Sequence, residues 1–365
     1  MNSFLPNLHI KYLSELESPG FATMSSFRAE SLRLGGVFWA VSSMQLLSVE
    51  ISTEKRSKIF KFIYSCWDET VGAFAWSTGH DGHIASTHYA LLILRNLNLS
   101  LDEPKRKKIS KFVAQMQKFD GSFQGDVWGE TDLRFSYDAF SIFALLDERV
   151  CANACRCANP CESGEDDLVH EQTRVNAAEE RDSVNEQTHV YHGEKDSTHS
   201  LRSCVSSCVY SRGCAWILSC QNFDGGFGPV PNLESHAAYT FCAIGALSIC
   251  KVKVPLKPQL IHWLCERQTV SGGFNGRPEK APDVCYSWWI TSTLEMLGST
   301  HLIDKNALVS FILKSQDSQN GGIADRPECV PDVFHTFFGM AGLSLLDKSL
   351  GLKEIDPMLV TIKHL

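Results

Sequence analysis

The chain has 365 residues, of which 44% are hydrophobic and 21% charged, so it can bury one large core or two smaller ones. Its net charge of −8 argues against a nucleic-acid partner, and no apolar run reaches the ~18 residues that a membrane helix needs. Neither end carries a targeting or lipidation motif, and we therefore expect a cytoplasmic protein without a membrane span.

The first predicted element covers residues 23–48, where apolar residues recur at helical spacing and Gly35-Gly36 interrupts the run. Small side chains there would let a neighbouring helix or a ligand approach closely. A tight helix crossing and the wall of a ligand cavity are therefore two open interpretations of this pair.

From residue 59 onward, a two-helix unit recurs along the chain. Each copy has an apolar helix ending in Cys or Gln, a Gly-Gly-Phe-like turn, a polar loop and a second apolar helix. The first turn glycines, spaced by 49, 104, 47 and 49 residues, are Gly72, Gly121, Gly225, Gly272 and Gly321. A period of about 48 residues predicts an all-α fold of α-hairpin repeats, and five or six of these can close into a ring.

The spacing of 104 residues exceeds one period and points to an insert at residues 151–206. This segment has a single aromatic residue, Tyr191, and residues 151–202 hold eleven acidic against five basic side chains, a net charge of −6. Such a composition cannot bury a core, so we expect a disordered acidic excursion. A zinc knuckle is the less favoured alternative, because its six cysteines lack C-x2-C spacing: Cys151, Cys155, Cys157, Cys161, Cys204 and Cys208. The other eight of the 14 cysteines are scattered singly, which favours reduced thiols.

Replacing residues 151–206 with a short Gly/Ser linker should leave thermal unfolding and metal content unchanged, because long surface loops cost little free energy. Calorimetry and metal analysis of the deletion variant test this. Aggregation, or the loss of a bound zinc ion, would show that the cysteine clusters are structural.

Residues 272–289 combine a candidate metal site with a candidate phosphate site. Asp283 and Cys285 lie two residues apart at the predicted start of a helix, and Arg277 and Lys280 precede them. A carboxylate and a thiolate suit a metal ion, while paired cations suit an anionic leaving group. This combination is typical of a transferase.

The repeats place polar residues in register with this site. Ten residues beyond the second turn position of the five units stand His83, Asp132, His236, Asp283 and Asp332. In a ring of hairpins these positions converge on one end of the cavity, where the helix N-termini favour anions. Two or three residues further on stand Arg134, Tyr239, Cys285, Tyr286 and His335. Asp283, Cys285 and His335 are therefore a candidate zinc site with an open fourth position.

Four long blocks of the sequence carry a resemblance to a known family. They are residues 125–139, 222–239, 264–289 and 321–346. Over residues 25–347 without the insert, the chain resembles the β subunits of protein prenyltransferases and is most similar to the type II, or Rab geranylgeranyltransferase, group. The insert is a departure from that family.

The resemblance implies an α/α toroid as a single catalytic domain at residues 23–347, interrupted by residues 151–206. It also implies a catalytic zinc ion held by Asp283, Cys285 and His335. The implied diphosphate-binding residues are His236, Arg277, Lys280 and Tyr286. Trp289 would belong to the lipid cavity, with Trp39, Phe140 and Trp288 as further candidates for its wall, and Arg134 would line the protein-substrate side.

By the same resemblance, the chain would transfer a geranylgeranyl group from geranylgeranyl diphosphate to C-terminal cysteine thiols of Rab GTPases, through a zinc-activated thiolate. It would act with a prenyltransferase α subunit and a Rab escort protein, and a magnesium requirement stays open. Gly35 stands where the farnesyl enzyme has a bulky aromatic residue, so the cavity is expected to admit a 20-carbon lipid.

Three alternatives are less favoured. A type I geranylgeranyl or farnesyl transferase β subunit would share most of the site. A terpene cyclase would share the ring but needs an acidic D-x-D-D cluster, and the nearest acidic run, Glu165-Asp166-Asp167, lies in the insert. An inactive scaffold subunit is not indicated, because the candidate ligands and cations are all present.

Overall fold

The computed structural model describes residues 3–16, 30–147 and 209–363, and the predicted insert at residues 151–206 lies outside this range. Within it, helices account for most of the chain, and β1 (Trp67–Asp68) and β2 (Ala73–Phe74) form a small antiparallel pair. The helices are α1 Pro6–Glu15, α2 Arg33–Leu46, α3 Thr53–Ser65, α4 Ile84–Asn96, α5 Glu103–Gln115, α6 Leu133–Leu145, α7 at residues 209–219, α8 Ala237–Ile249, α9 Lys257–Cys265, α10 Cys285–Met296, α11 Lys305–Lys314 and α12 Val333–Leu346. Short 3-10 turns occur at Glu30–Leu32, Thr300–Leu302 and Lys348–Leu350.

None of the described helices is long and apolar enough to cross a membrane.

The even-numbered helices form a closed inner ring. Each of them packs against the next in the order α2, α4, α6, α8, α10 and α12, and α12 packs against α2. The odd-numbered helices lie outside, each preceding its inner partner in the chain. The predicted all-α ring of α-hairpins, an α/α toroid, is confirmed, with six inner helices in the described residues. Helix α2 runs unbroken through Gly35 and Gly36.

A glutamine just after each of the outer helices α5, α7, α9 and α11 links neighbouring units. The Gln221 side chain donates to the carbonyls of Gly225, at 3.0 Å, and Pro255, at 2.8 Å. Gln316 donates to the carbonyl of Ser3 at 2.9 Å, just before α1, so α1 takes the position of the next outer helix. The N-terminal segment therefore closes the outer layer.

The turn glycines are required for two reasons, as Gly225 shows. Its φ of +85° is a conformation that residues with a side chain rarely adopt, and an added Cβ would overlap the backbone of Leu260 in the next outer helix. All five predicted turn glycines have positive φ. The periodic glycines thus fix both the turn and the close approach of successive units.

Backbone hydrogen bonds connect the units at the end of the ring where the inner helices begin, which we call the mouth. The N–H of Ala237 donates to the carbonyl of Gly276 at 2.8 Å, and that of Val284 donates to Asp325 at 2.7 Å. Leu34, Ile84 and Leu133 make the equivalent bonds to Trp76, Gly125 and Pro229. The loop of one unit therefore lies beside the helix start of the preceding unit, which brings residues of adjacent units together.

The opposite end of the ring is covered by residues 352–363. The N–H of Lys353 donates to the carbonyl of Leu46 at 2.9 Å, and Tyr137 donates its hydroxyl to the carbonyl of Met358 at 2.8 Å. Val360 is buried and contributes to the floor of the central cavity. Together with the buried Leu13 of α1, this shows that the packed body reaches beyond the predicted range of residues 23–347 on both sides.

Candidate active site

A central cavity of about 1400 Å³ occupies the inner ring and extends to outer helix α3, where Lys55, Lys58, Ile59 and Phe62 line it. It exceeds the roughly 300–1,000 Å³ of typical ligand pockets and suits a long ligand. Its wall is largely aromatic and includes Trp39, Trp76, Tyr89, Phe241, Trp289 and Phe338. Trp39 and Trp289 lie where the sequence predicts them, whereas Phe140 and Trp288 are not in this wall. The ring of Phe140 packs against Tyr210 of the outer layer, at 5.1 Å between centroids.

Gly35 is adjacent to the cavity but is not among its lining residues, whereas Gly36 is. A Cβ added at Gly35 would lie 3.3 Å from Cη2 of Trp39, a residue that does line the cavity. At Gly36 no atom lies within 4 Å of an added Cβ. A side chain at position 35 would therefore reach the cavity by displacing the Trp39 indole, which differs from the direct lining predicted.

The three predicted metal ligands come together at the mouth. Asp283, Cys285 and His335 each offer one ligand atom, and these atoms lie within 4.8 Å of one another. Zinc bonds of about 2.0–2.3 Å hold ligand atoms roughly 3–4 Å apart. The carboxylate, thiol and imidazole therefore fit a zinc ion and leave a coordination position open, the arrangement of a catalytic rather than structural site.

Local hydrogen bonds fix the orientation of these ligands. Asp283 accepts the N–H of Cys285 at 2.8 Å, at the start of α10. Asp332 accepts the N–H of His335 at 2.9 Å, and its other oxygen lies 2.6 Å from Nδ1 of the same residue. This leaves Nε2 of His335 facing Asp283, at 3.2 Å. Asp332 is thus a positioning residue whose role the sequence analysis missed.

The pKa values of this cluster reflect its burial and its neighbouring carboxylates. Burial raises the pKa of the Cys285 thiol well above its usual value, and the Asp283 charge adds to this effect. Burial opposes protonation of His335, but its hydrogen bonds to Asp283 and Asp332 outweigh burial and raise its pKa to about 9. A bound metal ion would reverse the first effect and replace the proton of the second.

Changing Asp332 to alanine should weaken zinc binding by about 10- to 100-fold, because His335 would lose the partner that holds its Nδ1. Titration with a competing chelator measures this affinity. Asp304, which caps outer helix α11 through the N–H of Ala307, provides a matched control for the loss of a helix cap. Equal zinc affinity in both alanine variants would show that Asp332 acts only as a cap.

A second pocket of about 310 Å³, which we call the anion pocket, adjoins the metal cluster. It is lined by all four predicted diphosphate residues, His236, Arg277, Lys280 and Tyr286, and also by Asp283. Arg277 forms an exposed ion pair with Glu234 at 2.8 Å, whereas Lys280 makes no ion pair with any described residue. Asp325 and Arg326, a pair 3.0 Å apart, also line the pocket, and sequence reasoning did not single them out.

A short loop positions the cations of this pocket. Asn275 donates its side-chain amide to the carbonyl of Lys280 at 3.0 Å, which closes the loop that carries Arg277. Gly276 packs so closely on Tyr286 that an added Cβ would overlap the phenol ring. The loop therefore places the backbone of Arg277 and Lys280 beside Tyr286.

His236 is held in one tautomer by its helix. Its Nδ1 accepts the N–H of Ala238 at 3.2 Å, so the neutral ring carries its proton on Nε2. Nε2 lies 3.2 Å from the Tyr286 hydroxyl, at the pocket wall. Burial lowers the pKa of His236, and Arg277 contributes to the same shift. His236 and Tyr286 can thus both donate hydrogen bonds to an anion.

Arg134 lines the central cavity from the start of α6. Its guanidinium bonds both oxygens of Asp132 at 3.0 Å and Glu130 at 3.2 Å. The hydrogen bonds to Asp132 raise the pKa of Arg134, which therefore keeps its charge. A fixed cation here suits an acidic or carboxylate group of a ligand.

The polar residues that recur in register have a simpler common role than the sequence analysis gave them. All five accept a backbone N–H at the start of an inner helix: His83, Asp132, His236, Asp283 and Asp332. Helix capping alone explains why such residue types recur. His236 and Asp283 line the anion pocket in addition, and Asp332 orients a candidate metal ligand.

Comparison with known proteins agrees with this architecture. The profile of the prenyltransferase alpha-alpha toroid domain matches residues 4–361. The chain is 36% identical over 362 residues to the geranylgeranyl transferase type-2 subunit beta of Saccharomyces cerevisiae, covering 98% of this chain and 93% of the yeast protein.

Two solved structures share the fold. Candida albicans protein geranylgeranyltransferase-I complexed with GGPP has a TM-score of 0.75 at 23% identity, covering 99% of this chain and 97% of that one. A type II terpene cyclase from Scytonema in complex with geranylgeranyl dihydroxybenzoate has a TM-score of 0.55 at 10% identity, covering 93% and 95%. At these identities the likeness shows the fold alone.

The match over residues 4–361 shows that the chain belongs to the prenyltransferase family with an α/α toroid domain. It is a prenyltransferase β subunit, similar to the type-2 geranylgeranyl transferase β subunits. The resemblance inferred from the sequence is confirmed.

Proposed function

We propose that the chain is the catalytic β subunit of a type II protein geranylgeranyltransferase, which modifies C-terminal cysteines of Rab GTPases. The observation that carries this proposal is the meeting of three features at the mouth. Asp283 belongs to the metal cluster and to the wall of the anion pocket, while Cys285 and Tyr286 also line the large apolar cavity. A thiol, a diphosphate and a long lipid can therefore meet at one point.

Each part of the site has a chemical task in this reaction. Zinc bound by Asp283, Cys285 and His335 would keep an acceptor cysteine in its thiolate form at neutral pH. The diphosphate gains charge as its bond to C1 of the isoprenoid breaks. Arg277 and Lys280 stabilise that charge by Coulomb attraction, and His236 and Tyr286 stabilise it by hydrogen bonds. The aromatic cavity holds the chain and keeps water from C1.

The proposed partners are a prenyltransferase α subunit and a Rab escort protein that presents the substrate, in the cytoplasm. Large apolar side chains exposed on the turns that follow the outer helices support the docking of a partner protein on the outer layer. Phe119, Phe223 and Val270 occupy the same turn position in three units, two residues before the turn glycine, and are almost fully exposed.

Co-expression with an α subunit, followed by lipid-transfer assays with geranylgeranyl and farnesyl diphosphate, tests the proposal. We expect transfer of the 20-carbon group to a Rab protein in the presence of escort protein, with about one zinc ion per chain. Absence of zinc together with cyclised lipid products would instead favour the terpene cyclase alternative. The sequence argues against that outcome, because no D-x-D-D run occurs in the chain.

Gly35→Trp is expected to shift the lipid preference toward the 15-carbon donor, because the new side chain would push the Trp39 indole into the cavity. Burying five more carbons contributes at most about 4 kcal/mol, which permits a several-hundredfold preference for the longer chain in the wild type. The ratio of kcat/KM values for the two donors measures the shift. Gly36→Ala, with open space around the added methyl group, is the matched control.

Two results would contradict this account of the cavity. A Gly35→Trp variant that is merely unstable, with an unchanged donor ratio, would identify Gly35 as a packing glycine. Wild-type enzyme that transfers farnesyl as readily as geranylgeranyl would overturn the lipid assignment itself.

A further inference from the structure

A polar pair interrupts the apolar wall of the central cavity. His88 of α4 and Asp138 of α6 both line the cavity, and Nδ1 of His88 lies 2.7 Å from Oδ1 of Asp138. Their side chains are only 4% and 11% exposed. The ring of Tyr137 packs edge-on against His88, at 5.6 Å between centroids, and holds the imidazole in place. Neither member of the pair belongs to the metal cluster or to the anion pocket.

The depth of the pair places it beside the middle of a bound chain. His88 and Asp138 follow the helix caps His83 and Asp132 by five and six residues, which is about 8–9 Å along each helix. Trp289 lies at a similar depth across the cavity, six residues after Asp283. A lipid whose diphosphate occupies the anion pocket therefore reaches the pair near its second or third isoprene unit.

The hydrogen-bonding capacity of the pair is only partly used. An ionised carboxylate can accept about four hydrogen bonds, yet His88 is the only hydrogen-bond partner of the Asp138 side chain among the described residues. Nε2 of His88 is buried without a partner in the same part of the chain. A purely hydrocarbon ligand would be served better by two apolar residues, because it leaves buried acceptors unpaired.

We propose that His88 and Asp138 form a polar subsite of the lipid cavity that accepts a hydrogen bond from a hydroxyl group, at the Asp138 carboxylate. The hydroxyl belongs to the prenyl chain itself or to a water molecule held beside a plain chain. His88 positions the carboxylate, and Arg134, one turn earlier on α6, supplies the nearest cation of the same helix. The subsite rests on the proposed function, because it requires a prenyl diphosphate in the cavity.

The wild-type chain with its α subunit provides the first test, by equilibrium binding without acceptor protein. The probes are geranylgeranyl diphosphate and analogues that carry one hydroxyl on the second or third isoprene unit. If the lipid hydroxyl displaces a held water, one analogue should bind within threefold of the plain lipid; if the subsite is dry, it should bind more tightly. A loss of thirtyfold or more for every analogue, as expected for a hydroxyl against an apolar wall, would overturn the proposal.

The double variant H88L/D138L is the second test, because it replaces the pair by apolar residues of similar size. It should disfavour the hydroxylated analogue by thirtyfold or more relative to plain lipid. Leu92→Met, a volume-conserving change one turn below His88 in the same wall, should leave the ratio unchanged. An unchanged ratio in the double variant would show that the pair does not contact the hydroxyl. Failure of plain geranylgeranyl diphosphate to bind the wild type would refute the proposed function instead.

Discussion

Cys285→Ser is expected to abolish both zinc binding and lipid transfer. A hydroxyl is a poor ligand for zinc and does not ionise as a thiol does, so the site would lose its only sulfur. Bound zinc should fall from about one ion per chain to a small fraction, and turnover should drop at least a hundredfold. His335→Ala should behave in the same way. Elemental analysis of the purified complex, together with single-turnover assays, measures both effects.

The matched control is Cys329→Ser, because Cys329 is an exposed free cysteine outside the metal cluster. It should retain zinc and activity. Full zinc occupancy and normal turnover in Cys285→Ser would show that this cysteine is not a ligand, even though its sulfur lies within 4.8 Å of the other two ligand atoms.

The double variant R277A/K280A should keep its zinc but lose catalysis. Removing a single donor that stabilises developing charge commonly costs 10²- to 10³-fold in kcat, so two cations should cost roughly 10³-fold or more. The affinity for diphosphate should also fall, because both residues line the anion pocket. Zinc analysis combined with kcat and KM measurements separates this result from the loss of metal expected for Cys285→Ser.

R277A/K280A also lowers the net charge of the protein by two, so it needs a control with the same change in charge. K257A/K305A removes two positive charges from the starts of outer helices α9 and α11 and should leave kcat unchanged. If R277A/K280A turns over at the wild-type rate, the two cations do not act on the leaving group. The charged lining of the 310 Å³ pocket would then need another explanation.

Much of the fold follows from the sequence because its signals are periodic. Glycines such as Gly225 recur where the turn needs positive φ and close backbone approach, so the period predicts the hairpins and their closure. The candidate metal ligands were found in the same way, because Asp332 stands one period of 49 residues after Asp283, and His335 follows Asp332 by three residues. Register alone, however, could not separate capping from chemistry at these positions.

The remaining features depend on side-chain direction, which periodicity does not specify. Trp288 and Trp289 are neighbours in the sequence, yet only Trp289 faces the cavity. The contact between His88 and Asp138 joins residues 50 positions apart in two helices with ordinary apolar patterns. Residues 151–206 lie outside the described structure, and the expectation of disorder there stays a prediction.

Residues 352–363 close the end of the ring away from the mouth by bonding to Leu46 of α2 and to Tyr137 of α6. Val360 of this segment lines the cavity, so the segment is part of the cavity wall and not a loose tail. A truncation before residue 352 would therefore open the base of the cavity and expose its apolar wall to water.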